Sequence, residues 1–153
     1  MDDLSVPIPE RDIVSPRVLA ASPEAVYAAF ADPKRLERWW GPKGFTNAMQ
    51  VFELQPGGRW HILMTGPDGQ SFPNESKFVE IIPGRRVVYD HGGHVFRAML
   101  DIAPEGDGTR LTFVMRFPTA ESRDAVAPIC IPSNEENLDR LEAELVRGEG
   151  HRP

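Results

Sequence analysis

The stretch Pro56-Gly57-Gly58-Arg59-Trp60-His61-Ile62-Leu63-Met64-Thr65-Gly66-Pro67-Asp68-Gly69 reads as turn, strand, turn. Trp60, Ile62 and Met64 alternate with Arg59, His61 and Leu63, the period of a strand with one buried face. The flanking Pro-Gly and Asp-Gly pairs supply the backbone that tight reversals need. The same grammar repeats on either side. Apolar stretches at 45–54, 75–82, 86–91, 95–103 and 109–117 are separated by Pro83-Gly84, Gly92-Gly93 and Glu105-Gly106-Asp107-Gly108. These connections are too short for helical crossovers, so the stretches predict an antiparallel meander. In the last of them Leu111, Phe113, Met115 and Phe117 form the inward set. The stretch 45–54 shows no clear parity.

Residues outward from the meander predict helices and one more strand. Asp12 to Ala21 reads as a strand, and Pro16, which has no N–H, puts it at a sheet edge. Ser22-Pro23-Glu24 and Asp32-Pro33 are two successive helix starts, each with a capping side chain followed by proline. Val26, Ala29 and Phe30, then Leu36, Trp39 and Trp40, are their apolar residues, and Gly41-Pro42 ends the second helix. After the meander, Thr119 and Ser122 open a short helix that Pro128 and Pro132 interrupt. Ser133-x-x-Glu136 then reads as a capping box for a helix with Leu138, Leu141 and Leu145 on one side, stopped by Gly148. Residues 1–10, with prolines and acidic side chains, read as a flexible arm. Residues 11–148 read as a single domain and 149–153 as a frayed tail.

Composition limits the function classes. The chain has 153 residues, 41% hydrophobic, enough for one domain with a real core. With 17 Lys+Arg against 23 Asp+Glu, the net charge of −6 argues against nucleic acid and against anionic membrane surfaces. No apolar run is long enough to span a membrane, and the first residues lack the pattern of a secretory signal. The single cysteine, Cys130, cannot form an internal disulfide, which fits a cytoplasmic setting. P-loop, GxGxxG, CxxC and GxSxG patterns are all lacking from the sequence.

Several motifs together resemble one family. They are Arg17 with Pro23, Val26, Tyr27 and Ala29; Asp32-Pro33, Leu36 and Trp39-Trp40-Gly41-Pro42-x-Gly44-Phe45; Pro56-Gly57-Gly58-Arg59-Trp60; Met64-x-Gly66-Pro67-Asp68-Gly69; and Thr109-Arg110-Leu111-Thr112. Their order resembles the bacterial branch named after the activator of the heat-shock protein 90 ATPase, within the START-like (SRPBCC) superfamily. The resemblance runs from about Arg17 to Leu145. It implies an α+β helix-grip fold, a curved antiparallel sheet wrapped around a long C-terminal helix and enclosing an apolar cavity. It implies no particular reaction, since fold does not fix function. The prolines in 127–132 depart from the pattern and are expected to reshape the cavity mouth.

The expected function is binding of a small hydrophobic molecule, a lipid, polyketide or aromatic, between sheet and C-terminal helix. Trp40, Phe45, Trp60, Met64, Tyr89, Met99, Phe113 and Leu138 are the expected lining, and Trp39-Trp40 reads either as a gate or as core packing of the short second helix on the sheet, one indole buried and one half exposed. Glu80, in phase with Phe78 and Ile82, and Tyr89, in phase with Val87, are the polar candidates inside, the alternative being that Glu80 pairs with a cross-strand arginine on the outer face. The alternatives are a cyclase or hydrolase using Glu80, Tyr89 or Arg97, and a cochaperone-like or dimeric interaction protein joined through the arm and edge strand. Monomer and homodimer both remain open. No catalytic residue, cofactor or metal is expected. Asp90-His91-Gly92-Gly93-His94 has metal-ligand residue types but reads as a solvated hairpin tip. Cys130 reads as a small hydrophobe, and His61 as a residue of the outer face.

Overall fold

The chain forms strand β1 (Asp12–Leu19), helices α1 (Pro23–Ala31) and α2 (Pro33–Trp39), six strands β2 (Thr46–Phe52), β3 (Arg59–Thr65), β4 (Ser71–Ile82), β5 (Arg86–His91), β6 (Phe96–Glu105) and β7 (Gly108–Arg116), and helix α3 (Ala120–Gly150). A computed structural model describes residues 3–92 and 95–150, with side chains up to Arg147. His94, His151 and the last residues of the tail lie outside the described residues. The strands make one antiparallel sheet in the order β1-β7-β6-β5-β4-β3-β2, which places Pro16 on an edge strand. The sheet curves around α3, the helix-grip arrangement.

Local chemistry sets the element ends. The Ser22 hydroxyl accepts the Ala25 N–H at 3.1 Å, and the Asp32 carboxylate accepts that of Lys34 at 3.0 Å. Thr119 and Ser122 cap α3 reciprocally, each side chain accepting the other's backbone N–H. Within the turn before β3, Gly57 takes φ +81°, a conformation that suits glycine.

The C-terminal segment differs from its reading. It is one continuous helix of 31 residues, with Pro128 and Pro132 inside it. Proline removes the N–H that would bond the carbonyl four residues back. Here those carbonyls belong to Asp124 and Pro128, and Asp124, Pro128 and Pro132 all stand on the exposed side. Water can satisfy the two carbonyls, so the helix survives both prolines. Ser133 is therefore a mid-helix residue rather than a cap, and Gly148 does not end the helix.

Ion pairs fix α3 against its neighbours. Arg17 on β1 reaches Glu135, Asp139 and Glu142. Glu144, buried on α3, binds Arg35 at 3.0 Å and Arg38 at 2.8 Å from α2. Burial alone would raise the Glu144 carboxyl, but these two guanidiniums hold it below the usual range.

The sheet carries apolar residues on both faces. The main core lies between its inner face and the helices and contains Phe30, Leu36, Trp60, Phe78, Phe113 and Leu141. A smaller cluster on the outer face joins Val88, Met99 and Val114 under Leu4. Residues 3–8, read from sequence as part of a flexible arm, are held there by an ion pair that is itself buried. Arg116 binds Asp12 through Nε–Oδ1 at 2.7 Å and Nη2–Oδ2 at 2.9 Å, and also donates to the carbonyls of Asp3 and Val6. Asp12 in turn accepts the Ile8 N–H. Burial would raise the Asp12 carboxyl, yet the bonds and charge of Arg116 lower it.

Candidate functional site

Between the inner face of β3–β7 and the middle of α3 lies a cavity of about 260 Å3. One wall is the short segment Trp40-Gly41-Pro42 after α2. Strand parity supplies the floor: Trp60, Ile62 and Met64 from β3, Asn74 and Ser76 from β4, Tyr89 and His91 from β5, Phe96 from β6, Phe113 and Met115 from β7. Cys130, Ser133, Asn134 and Asn137 of α3 form the roof.

Aromatic rings close one end. Trp60 stacks on Phe78 with centroids 5.7 Å apart and planes 3° from parallel. Trp40 and Tyr89 meet Trp60 edge-on at 5.0 and 5.1 Å. The Trp60 indole N–H has no nitrogen or oxygen partner and is packed among these rings.

Arg140 builds the mouth. Its Nη1 donates to the carbonyls of Trp40, Gly41 and Pro42, and its Nη2 to those of Arg38 and Phe45, at 2.9–3.0 Å. Burial lowers its pKa, but a guanidinium stays charged. Asn137 adds a second tie, its Oδ1 accepting the Gly41 N–H at 3.1 Å. The Trp40 wall is thus fixed by α3.

Five of the expected lining residues meet at this cavity: Trp40, Trp60, Met64, Tyr89 and Phe113. The others lie elsewhere. Trp39 is buried behind the wall, its indole N–H donating to the Ala29 carbonyl at 3.0 Å. Phe45 packs on Phe72 outside the lining. Leu138 points into the main core rather than the cavity. Glu80 is on the outer face, 3.6 Å from Arg86, because a register shift between Phe78 and Glu80 reverses the strand's alternation. Met99 faces outward too, opposite Val88 and beneath Leu4. Arg97 is likewise outside, bonded to Asp90 at 2.6 and 2.9 Å.

Sequence reasoning missed the polar side of the cavity. His91 sits at the end of β5, two residues beyond Tyr89, and so shares its face. Its Nδ1 meets the Ser76 hydroxyl at 3.2 Å and its ring stacks on Phe96. Burial lowers its pKa, which favours neutral imidazole. Burial also pushes the Tyr89 hydroxyl and the Cys130 thiol upward, so neither is primed as an anion. The parity of β5 carried the signal for His91, but the adjoining glycines drew it into a turn. Among the described residues no group of side chains has the arrangement of a metal site.

A larger hollow, about 540 Å3, lies on the opposite sheet face beside Asp3 and Leu4, with Glu80, Arg86, Arg97 and Met99 on its walls. Its charged groups already have partners: Arg86 binds Asp101 and Glu80, and Arg97 binds Asp90. The smaller cavity, with its aromatic wall and clustered amides, is the better candidate site.

Comparison with known proteins agrees with this architecture. A protein from Nitrosomonas europaea superimposes with a TM-score of 0.88 at 24% identity, covering 95% of this chain and 100% of that one. A Chromobacterium violaceum protein matches at 29% identity and TM-score 0.77, over 86% and 95% of the two chains. The AHSA1 protein from Silicibacter pomeroyi matches at 23% identity and TM-score 0.74, over 90% and 99%. A search of curated proteins found no match. The profile of one family, activator of Hsp90 ATPase homolog 1-like protein, matches residues 20–146. That span runs from the approach to α1 through every strand of the cavity floor and most of its roof helix, and the chain belongs to this family.

Proposed function

We propose that the protein binds a small, compact, largely aromatic molecule in the cavity between Trp40, Tyr89 and α3. The observation that carries this reading is a hollow of about 260 Å3 walled by Trp40, Trp60, Tyr89 and Phe113 and roofed by polar α3 side chains. The volume falls just below the roughly 300–1,000 Å3 of drug-sized ligand sites, which favours a one- or two-ring molecule over a long acyl chain. The family's fold commonly serves ligand binding, and that supports the reading without naming the ligand.

The enzymatic alternative loses two of its three groups, since Glu80 and Arg97 face away from the cavity. No carboxylate lines the cavity among the described residues. The test is calorimetric titration of the full chain with small aromatics such as 2-naphthol, alongside a Ser133→Phe variant that fills the cavity from its roof. Saturable binding to the parent and none to the variant is the expected result. Equal binding to both, or none to either, would refute the proposal.

A further inference from the structure

The chemistry of the cavity wall narrows the ligand class, on the premise that the cavity is a binding site. None of its lining residues is Lys, Arg, Asp or Glu. Arg140 stands behind the Trp40-Gly41-Pro42 wall, but its donors are directed at five backbone carbonyls. An anion entering here would lose its hydration and meet no cationic side chain on the walls.

The polar groups that do face the cavity come as a matched pair. Asn134 and Asn137 stand one helical turn apart on α3, and each is only 8% exposed. The Asn137 Oδ1 is taken by the Gly41 N–H, which fixes the amide and leaves its Nδ2 as a donor. The Asn134 Nδ2 is directed at the Met115 Sδ at 3.3 Å and the Ser15 hydroxyl at 3.5 Å, which leaves its Oδ1 as an acceptor. Among the described residues neither of these remaining amide atoms makes a hydrogen bond, and the same holds for the Tyr89 hydroxyl. None of these atoms is sealed inside the protein, where the unpartnered polar side-chain atoms among the described residues are Asn47 Oδ1 and Trp60 Nε1, so they stand open to a partner within the cavity. A ligand with an adjacent acceptor and donor would satisfy both asparagines, while the rings of Trp40, Trp60 and Phe113 take its apolar body.

We infer that the site selects a neutral, compact aromatic molecule carrying a hydrogen-bond acceptor and donor side by side, such as a primary amide, and discriminates against carboxylates. The inference rests on the reading of the cavity as a binding site, and one experiment separates the two. The parent protein is titrated at pH 8 with 2-naphthamide and with 2-naphthoate, which share their ring system and differ in the charge of the head group. The amide is expected to bind about tenfold or more tightly than the carboxylate, the scale of one uncompensated polar loss. Its binding should vanish in Ser133→Phe and fall about tenfold in Asn137→Leu. Because Asn137 also holds Gly41, Tyr89→Phe serves as a second variant that leaves this tie in place, and it should weaken the amide several-fold. Equal or tighter binding of 2-naphthoate, abolished in Ser133→Phe, would overturn the preference for neutral ligands and leave the cavity as a binding site. Binding of neither probe, or binding untouched by Ser133→Phe, would overturn both.

Discussion

Replacing Arg140 by methionine keeps most of the side chain's apolar length and removes its hold on the cavity mouth. The guanidinium contacts five carbonyls, those of Arg38, Trp40, Gly41, Pro42 and Phe45. Its two terminal nitrogens carry four hydrogens between them, so five contacts are fewer than five full bonds. A hydrogen bond from a charged donor contributes about 1.5–3 kcal/mol. Two effects reduce the sum. Part of the segment reaches water and can rehydrate, and the variant no longer buries a cation whose pKa shows the strain of burial. A net loss of about 3 kcal/mol is expected, which for a domain of this length lowers Tm by about 6–12 °C. Affinity for a cavity ligand should fall as well, because Trp40 loses its backing. Arg140→Lys keeps the charge but offers a compact ammonium in place of a planar fork, and should recover less than half of the loss. Thermal unfolding followed by circular dichroism, with 2-naphthol titration of each variant, measures both effects. A Tm within about 2 °C of the parent for Arg140→Met, or full recovery by lysine, would refute the reasoning.

Two further outcomes follow from buried charge and from backbone geometry. Asp12→Asn should cost about 3–5 kcal/mol at pH 7, since it leaves Arg116 without its anion. Asp12 and Glu144 both have folded pKa values below their ordinary ones, so their stabilisation is complete above the ordinary carboxylate range and disappears as pH falls through the lowered values. Urea unfolding of the parent should therefore show stability falling on acidification, with a shallower slope in Asp12→Asn; an identical slope would contradict the assignment. Neighbouring glycines should behave differently. A Cβ on Gly58 would stand 1.9 Å from the Glu53 carbonyl oxygen, whereas one on Gly57 meets open space and only its φ of +81° is unfavourable. Gly57→Ala should cost about 1–2 kcal/mol and Gly58→Ala clearly more, read from denaturant midpoints.

The reliable signals in the sequence were those of turns and alternation. Capping residues placed the starts of α1 and α2, and the glycine pairs placed the strand boundaries within a few residues. Parity failed where the backbone departed from strict alternation. The unreadable stretch 45–54 contains a register shift between Met49 and Val51, and the misplaced Glu80 follows the shift after Phe78. An inserted residue carries no compositional mark, so a period-two reading passes straight through it. Met99 was misread for another reason: its strand is apolar on both faces, because Leu4 covers the outer one. The polar half of the site was hidden by the prolines. Starting the last helix at Ser133 made Ser133 and Glu136 a cap and left no reason to compare Asn134 with Asn137. Arg140, between Leu138 and Leu141, looked like an ordinary solvated charge, since nothing local reveals that it reaches a wall about a hundred residues away in sequence.

The two prolines of α3 also bear on how firmly the roof of the cavity is held. They sit one turn apart, immediately before and within the roof that begins at Cys130. Each removes one rung from the helix ladder, and Asp124 and Pro128 offer carbonyls with no intrahelical amide to hold them. Segments joined by fewer bonds open at lower free energy than the whole fold. In hydrogen exchange, amides in the turns around 124–132 should lose protection before those of the roof beyond Asn137. The turns carrying the two prolines are therefore the part of the roof expected to open first, while the sheet stays paired.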